Sequence, residues 1–157
     1  MRMFLTGAFI VLALPPAPAA ETDADKAKAA VTAFLAALKA KDIDAVVKTT
    51  DVPFVLGFAR VEEQTFDTAD ALKAALKPIL KQIDPDTLPT AVGTVSDMDA
   101  LAKKAKEQGG EKVYAAMEKH VGKSGYMVRV PTQDGKDSYG VLVRMKGGKA
   151  YVAATTK

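Results

Sequence analysis

The chain has 157 residues, 22 of them basic and 19 acidic, with one histidine and no cysteine, for a net charge of +3. Without thiols there is no disulfide framework, no thiolate metal site and no residue to carry a lipoprotein acyl anchor. Charges of both signs alternate along the predicted helices, which leaves no one-sided basic patch of the kind nucleic acid binding needs.

The opening MRMFLTGAFIVLALPPAPAAE combines Arg2, an apolar run from Phe4 to Leu14, a proline-broken segment and small residues at Ala17 and Ala19. That is the three-part layout of a secretory signal peptide. Its apolar run of about 11 residues is too short for a bilayer-spanning helix of about 20. Cleavage after Ala19 places Ala17 and Ala19 in the small-residue sites with Pro18 between them. The expected organisation is a signal peptide over 1–19 and a single domain over 20–157. The destination is periplasmic or extracellular, from a bacterial source, with no stable membrane anchor after cleavage. About 137 residues then remain, enough to bury one core without staples.

Over residues 23–41, Ala27, Ala30, Val31, Phe34, Leu35 and Leu38 recur at helical spacing and predict an amphipathic helix. Asp42 or Asp44 caps a second, two-turn helix whose apolar side is Ile43, Val46 and Val47. Pro53 pushes Val52 toward extended geometry, and Phe54, Leu56 and Phe58 alternate along a strand over 53–60. Asp67 or Thr68 then caps a helix with the stripe Leu72, Leu76, Ile79, Leu80 and Ile83. Pro78 is expected to kink or split that helix near Ala74 and Ala75. A turn over 84–90 and a short strand in TAVGTVSD precede a helical segment over 98–121, expected to break at Gly109 and Gly110. Three strands close the chain, GYMVRVPT, DSYGVLVRMK and KAYVAATT, the last two joined by a tight hairpin at KGG. Helices first and strands later make an α+β domain.

Residues 28–58, KAAVTAFLAALKAKDIDAVVKTTDVPFVLGF, resemble the opening of the nuclear transport factor 2-like superfamily, which includes SnoaL-like and ketosteroid-isomerase-like proteins. The likeness lies in the long helix with FLAAL, the basic turn, Asp42, the short apolar helix and Asp51 before the first strand. YGVLVRMKGGKAYVAATTK resembles the last hairpin of that family. The resemblance implies N-terminal helices packed on a strongly bent, cone-like antiparallel sheet with a cavity between them. Members use the cavity for catalysis or for ligand binding, and often dimerise through the open sheet. The helical segment over 98–121 is an addition to the common fold.

An isomerase needs a carboxylate base and a hydrogen-bond donor in the cavity. Here the first helix offers Phe34, and the first strand offers Phe54, Leu56 and Phe58 with no acid among them. Asp42, Asp44 and Asp51 sit at helix boundaries, where capping is favoured over catalysis. His120, the only histidine, cannot build a histidine-rich metal site, and it falls near a helix end where positive charge is welcome. Arg60 shares parity with Phe54, Leu56 and Phe58, so it either holds a carboxylate at a cavity mouth or leaves the sheet for solvent or Glu62. Tyr126, Tyr139 and Tyr151 share a face with Val128, Val141, Val143 and Ala153, as core residues with hydroxyls at the rim or as pocket lining. Arg129 and Arg144 fall on the opposite, solvent side.

The leading reading is an exported, non-enzymatic domain that binds a small apolar or weakly acidic ligand or a protein partner, with no cofactor and no metal. Its pocket candidates are Phe34, Phe54, Leu56, Phe58, Arg60, Tyr126, Tyr139 and Tyr151. One alternative is a SnoaL-like hydrolase or isomerase with a cavity acid that the sequence does not place. The other is an interaction protein forming a homodimer through the open sheet.

Overall fold

The computed structural model describes residues 21–156 apart from residue 61. The expected signal segment, with Ala17 and Ala19, lies outside the described residues. α1 (Asp23–Lys39) starts at a capping box, in which the Thr22 hydroxyl accepts from the Asp25 amide and the Asp25 carboxylate accepts from the Thr22 amide. Asp42 caps α2 (Ile43–Thr49) through the Ala45 amide. Thr68 caps α3 (Ala69–Gln82) through the Ala71 amide. α4 (Met98–Gln108) ends on Gly109 at φ +70°, a left-handed cap that divides it from α5 (Glu111–Val121).

Six strands form one curled, unclosed sheet: β1 (Thr50–Leu56), β2 (Gln64–Phe66), β3 (Val95–Asp97), β4 (Tyr126–Pro131), β5 (Ser138–Lys146) and β6 (Lys149–Thr155), in the order β2-β1-β6-β5-β4-β3. The sheet is mixed, since β1 runs parallel to β6, its C-terminal neighbour. That corrects the wholly antiparallel expectation. The β1–β6 ladder shifts register between Thr50 and Val55, a stretch that contains Pro53, which has no amide to donate. β2 is an addition too short to show alternation.

α1 lies on the inner face, where Ala27, Val31, Phe34 and Leu35 pack with Val128, Val141, Val143 and Val152. Each such valine, leucine or phenylalanine stabilises the fold by about 2 kcal/mol on full burial. α3 adds Leu72, Leu76 and Leu80 to the same core. Pro78 does not break it: both Pro78 and Ala74, whose carbonyl loses its donor, face solvent, so water can satisfy that group while the inward leucines continue.

The 98–121 segment covers the other side of the sheet. Met98, Leu101 and Val121, with Tyr114 and Met117, pack on Leu142, Ala153, Ala154 and Met127 in a second core. Val55 and Phe58 belong to this outer layer as well. None of the described helices is long and apolar enough to cross a membrane.

Candidate functional site

An open cavity of about 460 Å³ lies between α1, α3 and the inner face of the sheet. Phe34 and Leu38 come from α1, Leu76, Ile79 and Ile83 from the end of α3, and Phe54 and Leu56 from β1. Leu88 and Pro89, beyond the short 3-10 turn Pro85–Thr87, and Thr132 and Gln133, in the β4–β5 turn, complete the lining with Thr87. Tyr139 of β5 and Thr155 of β6 are its polar wall. Every lining side chain is an apolar group, a hydroxyl or an amide; none is ionisable in the carboxylate or imidazole range.

The sheet register explains how these two residues come to line this space. Thr155 pairs with Leu56 on one side and with Val141 on the other. Tyr139 is two residues before Val141 and therefore on the same face. Thr155 is 6% exposed, and its hydroxyl has no hydrogen-bond partner among the described residues. Its main chain is satisfied, with the carbonyl accepting from the Phe58 amide at 2.8 Å. Burial raises the Tyr139 phenol above its ordinary pKa.

Of the sequence candidates, Phe34, Phe54, Leu56 and Tyr139 converge on the cavity. Tyr126 packs on the inner core through partial burial, apart from the cavity lining. Tyr151 lines a separate surface depression with Ala29, Ala33 and Lys48. Val152 joins the inner core and Ala153 the outer one, and a bulge in the β5–β6 ladder just beyond keeps Ala154 on the outer side as well. Ala153 therefore does not share the face of Val128, Val141 and Val143.

Phe58 and Arg60 also leave the face assigned to them. The strand ends at Leu56, and Gly57 at φ +70° turns the chain over, a conformation that glycine adopts without a Cβ penalty. Phe58 then packs in the outer core against the His120 ring, with centroids 5.7 Å apart. Arg60 is exposed, and its Nε donates to the Thr156 carbonyl at 3.1 Å.

A second polar cluster was missed because strand parity alone placed Arg144 in solvent. Arg144 Nη1 donates to Asp51 Oδ2 at 2.7 Å, and Nη2 donates to the His120 carbonyl at 2.6 Å. Lys146 Nζ reaches the other Asp51 oxygen at 3.3 Å. Asp51 is thus an ion-pair partner on β1, whereas Asp42 is a cap and Asp44, in the first turn of α2, pairs with Lys73. His120 Nε2 donates to the Ala153 carbonyl at 3.0 Å. Burial lowers the His120 pKa, the Ala153 bond opposes it, and the Arg144 charge lowers it further. The positive charge at the end of α5 is Arg144, which covers a carbonyl that the helix leaves unpaired. The cluster fastens α5 to the sheet, with every member engaged.

No protein-family model and no curated protein matches the chain. Among solved structures, one described as a calcium/calmodulin dependent protein kinase II association domain from Xanthomonas campestris is similar at 13% identity and a TM-score of 0.45, over 94% of each chain. An NTF2-like protein of unknown function from Pseudomonas putida is similar at 9% identity and a TM-score of 0.41, over 81% of this chain and 79% of that one. At these values neither likeness carries a function to this chain. The architecture itself, a long first helix held by a curled sheet, is the α+β arrangement that the resemblance of residues 28–58 leads one to expect.

Proposed function

We propose that this chain is an exported domain that holds a small apolar ligand in the cavity between α1, α3 and the sheet, without chemistry on it. The observation that carries this reading is the cavity itself: an open space of about 460 Å³, with an apolar lining, beside an otherwise packed core. Ligand sites are concave, mostly apolar and carry a few placed polar groups. The hydrolase or isomerase alternative needs a carboxylate in this space, and the lining residues include none. The open-sheet dimer meets α4 and α5 on the outer face rather than bare sheet. Export rests on the layout of residues 1–19, and cleavage after Ala19 leaves the Thr22–Asp25 capping box intact.

Thermal melts of residues 20–157 with naphthalene derivatives, medium-chain alcohols and steroids test the binding reading. A ligand that binds only the folded state raises Tm by mass action. Leu76→Trp places an indole in the cavity and is expected to abolish the rise. No rise with any compound, or an equal rise in the Leu76→Trp variant, would remove the proposal. Export is checked by the mass of the protein recovered from the periplasm or medium, expected to begin at Ala20.

A further inference from the structure

We infer that the ligand is uncharged, with an apolar body and one carbonyl- or hydroxyl-type group that hydrogen-bonds to Thr155, the Tyr139 phenol lying beside it. This rests on the cavity reading above and specifies the chemical class it takes. A threonine hydroxyl has one donor and two acceptor sites, and buried hydroxyls in folded proteins nearly always have a partner. Thr155 lines the cavity, and its hydroxyl, buried in the cavity wall, has none among the described residues.

Tyr139 supplies a second hydroxyl at a defined place. Thr155 stands opposite Val141, and Tyr139 is the next residue on that face, a diagonal neighbour within reach of a long side chain. No hydrogen bond engages its phenol among the described residues. Two hydroxyls on one wall of an apolar space recognise a single neutral polar group.

Charge is excluded by what surrounds them. No lysine, arginine or histidine lines the cavity, so an ionised acid entering it would lose hydration without gaining a counter-charge. Arg60, beside this end of β6, donates to the Thr156 carbonyl instead of lining the cavity. The weakly acidic ligand class is therefore disfavoured, and a neutral ketone, ester or alcohol on a hydrocarbon frame fits.

Calorimetry with three probes of nearly equal shape tests this: 2-acetylnaphthalene, 2-isopropylnaphthalene and 2-naphthoate at pH 7. The ketone is expected to bind about tenfold more tightly than the hydrocarbon, the worth of one well-made hydrogen bond, and the carboxylate most weakly. Thr155→Val should remove that advantage while leaving the affinity for 2-isopropylnaphthalene unchanged, and Thr155→Ser should keep the advantage. Equal binding of ketone and hydrocarbon, a preference that survives Thr155→Val, or tightest binding of the carboxylate overturns the inference while the cavity reading stands. Failure of all three probes to bind overturns both.

Discussion

Arg144 and Asp51 form an ion pair at 2.7 Å, with side chains 17% and 13% exposed, that ties β5 to β1 across the intervening β6. Because the same guanidinium also holds the His120 carbonyl, one side chain joins β5 to both β1 and α5. Removing one partner of such a pair leaves the other half-buried and uncompensated. Arg144→Met is therefore expected to cost about 3 kcal/mol in urea unfolding, and Arg144→Met with Asp51→Leu less than that.

The pair also sets an acid limit. Burial alone would raise the Asp51 carboxyl, but the hydrogen bonds and charges of Arg144 and Lys146 outweigh it, and the pKa lies below the ordinary value. A carboxyl depressed in the folded state contributes stability that is fully present above its unfolded pKa of about 3.9 and is lost as pH falls through the folded value. Stability should fall below about pH 4, and this fall should shrink in Asp51→Asn when unfolding is followed from pH 6 to pH 2.

His120 adds an earlier step of the same sign. Its ring is held neutral chiefly by burial, with Arg144 adding to the effect against the Ala153 bond and Glu63. The unfolded chain takes up a proton near pH 6.5 while the folded chain resists it, so stability should decline as pH drops below about 6.5. The decline ends below the folded pKa. His120→Gln is expected to flatten the profile just below about pH 6.5, and an unchanged slope would show that the ring is not the titrating group.

Thr155→Val is isosteric and removes the unpartnered hydroxyl, so it should stabilise the ligand-free protein. The gain expected is about 1–2 kcal/mol, the cost of leaving a buried hydroxyl unsatisfied. Denaturant midpoints of the two proteins check this. A polar group that lowers stability in the wall of a cavity is a common mark of function.

Much of this architecture was legible where periodicity is strong. The apolar stripe of α1, the Asp42 cap, the Gly109 break and the closing strands all follow from local pattern. What was not legible depends on two-residue parity carried too far. Gly57 ends the face of Phe54 and Leu56 before Phe58 and Arg60, and the bulge after Tyr151 changes the side that later residues take. Thr155 comes to the inner face through that bulge, opposite Val141, while Ala153, two residues before it, lies on the outer one. Arg144 was legible as outward-facing, but its partners lie 93 and 24 positions away, on β1 and on a helix that only the folded topology brings there.

The central claim is that the space between α1, α3 and the sheet takes an apolar ligand. Methyl NMR of residues 20–157 titrated with 2-acetylnaphthalene tests it most directly. The cavity reading predicts shifts at Leu38, Leu56, Leu76, Ile79 and Ile83, with Leu101, Val121 and Leu142 of the outer layer unmoved. Shifts confined to Leu101 and Val121, or no shifts at saturating probe, would contradict it.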